Sequence, residues 1–397
     1  MSLDKLICEM RKAIDLLKGY GTQLVHVIHH DDADGVTGAA IISKALERAG
    51  FNVKRICIEK AYPEVIRRLH RSRGEVYVYV DIGAAHAQLI SRENAGKNLT
   101  IILDHHDAEP STDELVLNLD PELYGFSGES EVSGSTTTYL FAKLLSDVNK
   151  DLAFLAIVGS MEIPGNLRGL NREALKDALE LGEVSVRKKG AEEIYHVKKE
   201  GFKGNAKSLS SMLTVLASVG YYRGGPELAV KACLEGFRSH IRKLVDEFRE
   251  ERKKVMWSVI RRLKMKGLEE TTHLQWFHVQ DSFRGMGVKV IGTCCSMLLF
   301  QKWINPRKYL LGFMNMSPEI PGFGRLEGQY VKVSARTPSL LSEDIKKGRA
   351  KPLAKLLPEA ANAVGGFGDG HAVAASGVIP RGSENTFIER MEALIAR

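Results

Sequence analysis

The chain passes from strand to helix at His29-His30-Asp31-Asp32-Ala33-Asp34-Gly35, and the organisation of its N-terminal half follows outward from this stretch. The apolar run 24–28 precedes it, and residues 36–48 after it have the spacing of a helix. Its three carboxylates and two imidazoles are costly to bury without water, a cation or a metal ion. Such residues at the carboxyl end of a strand are typical of a ligand site in an open α/β sheet. Taken alone, the stretch fits equally well a turn in which an aspartate caps the helix.

Two further strand ends carry the same residue types. The β-branched and aromatic run 76–80 ends at Asp81, and the apolar run 99–103 ends at Asp104-His105-His106-Asp107. The carboxyl ends of successive parallel strands meet at one edge of a sheet. Helix capping accounts for one acidic strand end but is a poor explanation for three in succession. We therefore predict that these side chains share one site.

These strand ends resemble the motifs of the DHH phosphoesterases. The resemblance rests on His30-x-Asp32-x-Asp34-Gly35, Asp81, Asp104-His105-His106 and Gly365-Gly366-Phe367-Gly368-Asp369-Gly370-His371. The last of these is similar to the glycine–histidine signature of the DHH-associated domain, with Phe367 and Asp369 inserted. The form of the first motif and the length of the chain are most similar to archaeal RecJ-like nucleases. The middle third of the chain carries none of these motifs.

The alternation of predicted strands and helices indicates an α/β fold. Together with the resemblance it implies a doubly wound, parallel-sheet DHH domain over residues 1–165. A helical connector is expected over 166–269, where the charged segment 227–266 is interrupted only by Gly236 and predicts one or two helices. A smaller α/β DHH-associated domain is expected over 270–397, with the active-site cleft between the two domains.

The composition is that of a globular protein of about two domains, with 397 residues of which 44% are hydrophobic. The net charge of +7 favours a polyanionic partner, although a basic protein without such a partner fits it nearly as well. The five cysteines form no Cys-x-x-Cys pair, which is typical of reduced thiols in a cytosol. No apolar stretch reaches membrane-spanning length and the N-terminus is charged, so we expect a cytoplasmic protein without a signal peptide or a membrane partner.

The resemblance implies a set of metal ligands. They are His30 and Asp32 for one ion, Asp34 and His105 for a second, and Asp81 as a bridge between them. Imidazole and carboxylate ligands suit two ions of Mn(II) or Mg(II), with Co(II) and Zn(II) as alternatives. The family usually has an aspartate near position 162, and Glu162 is expected to take its place, with a surface position before Pro164 as the alternative. His29 and Asp31 are given no role.

The resemblance also implies residues that contact the substrate. His106 is expected to contact the scissile phosphate, and Asp104 to orient a histidine. The run 133–138 precedes an apolar helix, so that N–H groups near Ser135 either hold a phosphate or belong to an ordinary helix cap. In the C-terminal domain, the planar guanidinium of Arg336 matches phosphate oxygens. Gly366 and His371 are expected at a glycine-rich turn, 365–370, where the backbone approaches the substrate closely.

The function implied is metal-dependent hydrolysis of phosphodiesters, since two metal ions supply a nucleophile and relieve charge on the phosphoryl oxygens. The form most similar to this chain is a single-strand exonuclease on DNA or RNA, in replication or DNA repair. Single-stranded nucleic acid is the expected partner, with a replication or helicase protein as a further candidate. Two alternatives stay open: a phosphoesterase of short oligonucleotides or cyclic dinucleotides, and a non-catalytic RecJ-like subunit of a replication complex.

Overall fold

The computed structural model describes residues 3–396, which fall into two units. The first unit extends to Asp246 and also includes Pro321–Phe323. The second contains Glu247–Ile320 and continues from Gly324. The expected α/β fold is confirmed in both units. The domain boundaries at 165/166 and 269/270, and the cleft between the domains, stay predictions.

The first unit is built on a five-stranded parallel sheet with the strand order β2-β1-β3-β4-β5. Its strands are β1 (Leu24–His29), β2 (Asn52–Cys57), β3 (Val76–Val80), β4 (Leu99–Leu103) and β5 (Val116–Asn118). Every residue of β3 and β4 is buried, as expected for a parallel sheet covered on both faces. Since β2 and β3 flank β1 on opposite sides, the strand order reverses between β1 and β3, where α/β proteins usually bind ligands.

The helices of this unit pack on the sheet and on one another. They are α1 (Leu3–Gly19), α2 (Ala33–Arg48), α3 (Pro63–Leu69), α4 (Ala87–Asn94), α5 (Gly134–Leu145), α6 (Ala153–Gly159), α7 (Gly169–Glu180), α8 (Ala206–Thr214) and α9 (Gly225–Glu235). Helix α2 is buried along nearly all of its length. The helix that follows the first motif is therefore a central element of the unit.

The middle third of the chain is not purely helical. It also contains a three-stranded antiparallel sheet, which the sequence analysis did not predict, formed by β6 (Val184–Lys189), β7 (Glu192–Val197) and β8 (Gly204–Asn205). Helix α8 continues into a π-helical turn, Val215–Val219. Gly236, with φ of 89°, separates α9 from the 28-residue helix α10 (Ser239–Lys266). The charged segment thus forms two helices, and α10 is about 42 Å long at ~1.5 Å per residue.

The second unit contains a mixed six-stranded sheet with the order β15-β16-β14-β11-β10-β9. The strands of the unit are β9 (Glu269–Glu270), β10 (Leu274–His278), β11 (Tyr309–Asn315), β12 (Glu319–Ile320), β13 (Gly324–Arg325), β14 (Tyr330–Arg336), β15 (Phe367–Gly370) and β16 (Ala374–Pro380). Its helices are α11 (Lys289–Leu298), α12 (Ser339–Lys346), α13 (Leu353–Asn362) and α14 (Glu384–Ala396). Apolar side chains of α13 and α14 pack on the sheet to form the core of this unit.

The glycine-rich segment differs from its prediction. Residues Phe367–Gly370 form the edge strand β15, paired antiparallel with β16, rather than a turn. A Cβ atom at Gly366 would lie 2.3 Å from the backbone oxygen of Val378, and one at Gly368 would lie 2.5 Å from Leu357. These glycines therefore permit close packing inside the unit, which is a structural reason for them independent of any ligand.

Within residues 3–396, no helix combines the length and the hydrophobicity that crossing a lipid bilayer requires.

Candidate metal centre

Acidic and imidazole side chains from three adjacent strands meet at the point where the strand order reverses. Because β1, β3 and β4 are parallel and in register, the residues that follow them lie side by side. Two groups have potential ligand atoms within 4.8 Å of one another: His30 with Asp32 and Asp81, and Asp81 with His105 and His106. Asp81 belongs to both groups, which is the position that a bridging ligand requires.

The burial and the backbone conformation of Asp81 are energetically unfavourable. It is 3% exposed, its φ of 58° lies in the left-handed region, and within the described residues neither carboxylate oxygen accepts a hydrogen bond. Burial, followed by repulsion from Asp34 and Asp32, raises the pKa of Asp81 well above its ordinary value. Backbone strain and buried carboxylates without donors persist where function requires them.

His30 and Asp32 form the side of the centre next to β1. His30 Nδ1 lies 3.0 Å from Asp32 Oδ2 and 3.5 Å from Asp81 Oδ2. Asp32 also caps α2, its Oδ1 accepting from the backbone N–H of Gly35 at 3.0 Å. His30 Nε2 lies 3.3 Å from Asp31 Oδ1. Asp31, which had no role in the sequence analysis, therefore orients the histidine.

Asp34 is fixed by the start of α5. The backbone N–H groups of Gly134 and Ser135 donate to its two carboxylate oxygens at 2.8 and 2.9 Å. Two N–H groups that the sequence analysis offered to a substrate phosphate are thus used by a carboxylate of the protein. Ser135 is also fully buried, so the structure does not support it as a substrate-binding residue. Asp34 Oδ2 remains 3.4 Å from His105 Nε2.

The two histidines of the third motif face the centre in different ways. His105 Nδ1 bonds the backbone oxygen of Gly128 at 2.9 Å, which leaves Nε2 directed at Asp81 Oδ1, 3.3 Å away. Burial lowers the pKa of His105 to about 4, so the ring is neutral at pH 7 with a lone pair at Nε2. His106 is 39% exposed, and its Nδ1 lies 2.8 Å from Asp104 Oδ1. Asp104 therefore orients His106, and its other oxygen accepts from Ala84 N at 2.9 Å.

Glu162 lies at the margin of the centre. It is exposed, and its Oε1 accepts a hydrogen bond from Thr214 Oγ1 at 2.7 Å. Among the described residues, the two groups with closely spaced ligand atoms do not include it. This agrees with the surface alternative for Glu162. Its role as a ligand stays a prediction.

Two buried or bridging residues escaped the sequence analysis. Thr214 Oγ1 accepts from the backbone N–H of Ala33 at 3.0 Å, and it is also the donor to Glu162, so it ties α8 to the first motif. Asp120 follows β5, is fully buried and caps a short 3₁₀ turn through Oδ1, whereas its Oδ2 has no partner within the described chain. Burial and then Asp104 raise the pKa of Asp120 well above its ordinary value. A fourth acidic strand end was a visible signal for Asp120; Thr214 had none.

In the second unit, Arg336 is the last residue of β14. Its guanidinium is held by Ser296 Oγ at 3.2 Å, Ser334 Oγ at 3.1 Å and the backbone oxygen of Ala335 at 2.8 Å. Burial lowers the pKa of Arg336, and within residues 3–396 no carboxylate pairs with it. His371 is exposed, in the turn between β15 and β16, where its N–H donates to Ala374 O at 2.8 Å.

The donor set of the first unit fits divalent cations. Asp81 places two oxygens without hydrogen-bond donors among further carboxylates and two imidazoles, and such mixed oxygen and nitrogen ligands suit Mn(II), Mg(II), Zn(II) or Co(II). A cation would offset both the burial and the mutual repulsion of these carboxylates. The residues present can therefore hold metal: the two closely spaced groups are formed by His30, Asp32, Asp81, His105 and His106. Asp34 lies outside these groups, 3.4 Å from His105 Nε2, and its role as a ligand stays a prediction.

Histidine and carboxylate side chains that meet where the strand order of an α/β sheet reverses are typical of a metal-binding protein. Residues 24–160 match the model of the DHH family, N-terminal domain. The first three motifs of the sequence analysis lie within this match.

The chain is similar over 98% of its length to several known proteins. It is 25% identical to an uncharacterized protein of Methanocaldococcus jannaschii, of which it covers 98%. Crystalline RecJ from Thermus thermophilus in complex with Mn²⁺ is 18% identical, with a TM-score of 0.64, and this chain spans only 55% of its length. The same RecJ was also solved with Mg²⁺. CDC45 from Entamoeba histolytica is 9% identical, with 99% of it covered and a TM-score of 0.60. The structural matches establish the fold.

Proposed function

We propose that this protein is a metal-dependent phosphodiesterase that digests single-stranded DNA or RNA as an exonuclease. One observation carries the proposal: Asp81 is buried, strained and without hydrogen-bond donors between two groups of histidine and carboxylate ligands. The DHH-family match over residues 24–160 and the fold shared with Mn²⁺-bound RecJ support it.

The side chains of the centre divide the work. His30, Asp32, Asp34, Asp81 and His105 would hold divalent ions, which supply an activated water and relieve charge on the phosphoryl oxygens when bound. The α5 N–H groups and Gly128 fix Asp34 and His105 in advance of binding, which limits the reorganisation that binding requires. We propose that the bound ions are Mn(II) or Mg(II).

His106 is the residue that we assign to the scissile phosphate. Its Nδ1 lies 2.8 Å from Asp104 Oδ1, which orients the ring, and the ring is the most exposed of the group. A hydrogen bond from a well-oriented imidazole to a phosphoryl oxygen favours the transition state, where charge on that oxygen grows. Asp104 acts by holding the ring in place.

Substrate binding is proposed to involve the second unit as well. Arg336 carries a guanidinium without a carboxylate partner within residues 3–396, and its planar fork matches phosphate oxygens. Contacts to phosphates carry no sequence information, so little sequence preference is expected. The net charge of +7 favours such a polyanionic substrate.

A non-catalytic role in a replication complex is the second candidate, favoured by the fold shared with CDC45 over 98% of this chain. The experiment that separates the two uses single strands of DNA and of RNA, labelled at either end, with Mn²⁺ or Mg²⁺. We expect metal-dependent digestion that Asp81→Asn and His105→Gln abolish. Asp15→Asn, at an exposed position of α1, is the matched control and should digest normally.

Three outcomes contradict the proposal in different ways. Strands that stay intact under every metal favour the non-catalytic role. Digestion restricted to dimers and trimers favours a small-substrate phosphoesterase. Metal-dependent digestion that survives both substitutions refutes the assignment of the centre.

A further inference from the structure

A cavity of about 570 Å³ lies within the second unit, apart from the residues assigned above. It opens between the C-terminal end of α10, strand β10 and the loop 279–282. Polar and aromatic side chains line it, among them Arg262, Lys266, Glu269, Trp276 and Asp281. Its volume is in the range of sites that take a small molecule or a cofactor.

One wall of the cavity is aromatic. Trp276 of β10 is half-buried, with part of its indole packed on the core of the unit and part bordering the cavity. It lies opposite Glu269 in the antiparallel pair of β10 and β9, so the two side chains share a face of the sheet. A flat apolar surface beside a carboxylate suits a ring that carries hydrogen-bond donors at its edge.

Another part of the lining is cationic. Arg262 and Lys266 are four residues apart on α10 and therefore lie on the same side of the helix. Arg262 Nη2 donates to Ser282 Oγ at 2.8 Å, which fixes the guanidinium against the loop 279–282. Within residues 3–396, neither cation pairs with a carboxylate. Arg261 and Lys264, on the same turns of α10, do not line the cavity.

The backbone of β10 adds hydrogen-bonding groups. Strand β9 pairs with β10 only at Gln275 and Trp276, so in the described chain the outer edge of β10 has no strand partner at His278. The peptide groups of Phe277 face β11 instead, because alternate residues of a strand bond to opposite neighbours. His278 lines the cavity. The peptide N–H and C=O of His278, beside an aromatic wall, offer a donor and an acceptor to the rim of a heterocycle.

We propose that this cavity binds one nucleotide unit, with its base against Trp276 and its phosphate at Arg262 and Lys266. Stacking on an aromatic side chain and contact with a cation are the two interactions that single nucleotides share, whatever the base. Glu269 accepts from an exocyclic amine or a ribose hydroxyl. The proposal goes beyond the hydrolytic function, because a nucleotide held here is bound and not cleaved.

Two ligands could supply this nucleotide unit: a free mononucleotide or one nucleotide of a single strand. The experiment distinguishes them. Full-length protein is titrated in EDTA, so that hydrolysis plays no part. Binding of AMP and GMP is measured by calorimetry. Binding of a fluorescein-labelled deoxyadenosine 12-mer and of its abasic counterpart is measured by fluorescence anisotropy. The variants are R262A/K266A and the charge-matched R261A/K264A, together with Trp276→Leu and thermal melting as a check of folding.

We expect R262A/K266A to weaken binding of at least one base-bearing ligand by about tenfold or more, and R261A/K264A to change it less than twofold. Trp276→Leu should weaken the 12-mer with bases by about tenfold and leave the abasic strand unchanged. Binding of AMP or GMP identifies the free nucleotide as ligand, and binding of the 12-mer alone identifies the strand.

Equal losses in the two double variants would mean that only the overall charge of α10 matters, and would overturn the site. Equal binding of strands with and without bases, or no binding of any ligand, would overturn it as well. Because EDTA removes metal from all these measurements, a failure here is distinct from a failure of the proposed nuclease activity, which the digestion assay tests separately.

Discussion

Gly134 is the first residue of α5, and its lack of a side chain is needed at the metal centre. A Cβ atom built on it would lie 2.6 Å from Asp81 Oδ1, 2.8 Å from Asp81 Cβ and 2.9 Å from Asp81 Cα. The last of these contacts is with backbone, so rotating the aspartate side chain cannot relieve them all. We predict that Gly134→Ala displaces Asp81 relative to both groups of candidate ligands.

The size of the effect follows from these distances. The contact with Asp81 Oδ1 is roughly 0.8 Å shorter than an ordinary van der Waals contact of 3.4 Å. Overpacking of this kind costs about 1–3 kcal/mol, offset by up to about 1 kcal/mol from the better helix propensity of alanine. The net cost is at most about 3 kcal/mol, so the melting temperature should fall by no more than about 6 °C. A misplacement near 1 Å in a catalytic centre lowers the rate by about 100-fold.

The assay compares digestion of end-labelled single strands with thermal unfolding, each with and without Mn²⁺. Gly19→Ala is the matched control, because a Cβ atom at Gly19 would meet nothing within 4 Å. We expect Gly134→Ala to lose most of its activity and most of the stabilisation by Mn²⁺, while Gly19→Ala keeps both. Wild-type digestion and wild-type stabilisation by Mn²⁺ in Gly134→Ala would refute this reasoning.

Three further substitutions test the surroundings of the centre and the fold. Asp81→Asn removes a carboxylate whose pKa is raised by burial and like charges, so the metal-free variant should melt above wild type at pH 7. This difference in melting temperature should shrink at lower pH, as the wild-type carboxylate becomes protonated. Mn²⁺ should no longer stabilise the variant. Thr214→Val should raise the apparent Mn²⁺ dissociation constant in thermal-shift titrations about tenfold, because it loses both hydrogen bonds of the hydroxyl, and Thr214→Ser should restore it. Burial lowers the pKa of His70 from 6.5 to about 4, so unfolding takes up a proton between these values and stability falls as the pH drops from 6.5 toward 4. His70→Gln should flatten this pH dependence in urea unfolding, and a matching change in the exposed control His240→Gln would contradict the assignment.

The strands and the main acidic residues of the centre could be predicted because both signals are local. Buried parallel strands appear as apolar runs, and residues after such runs must gather at one edge of the sheet. Asp81 and His105 could therefore be brought together on the sequence alone, although they are 24 positions apart. The resemblance to the DHH family supplied the individual roles, which the strand pattern does not carry.

Ser135 shows why the rest could not be predicted. The start of a helix accepts either a phosphate or a carboxylate, and the carboxylate that binds here, Asp34, lies about 100 residues earlier in the chain. Thr214 reaches the first motif across a still longer gap, and no spacing rule relates it to Ala33. Such contacts depend on how helices pack, and a single sequence does not fix that.

Asp31 and the glycine-rich strand were missed for a different reason. An extended chain alternates its side chains, which would direct Asp31 away from Asp32, but the chain leaves β1 at His29 and the alternation ends there. The segment 367–370 has almost no side chains whose alternation could identify a strand, so its glycines resembled those of a turn. Both errors come from applying a local rule beyond the residues that obey it.

The state of Asp81 connects these observations. A left-handed backbone, near-complete burial and two oxygens without donors in the described chain each cost stability, and all three fall on one residue. Asparagine or glycine at this position would remove the charge, and glycine would remove the backbone strain as well. A chain that needed only a strand end here would be more stable with either residue. Aspartate therefore has its use in the charge that it brings between two groups of ligands, and a divalent cation is the partner that this charge fits.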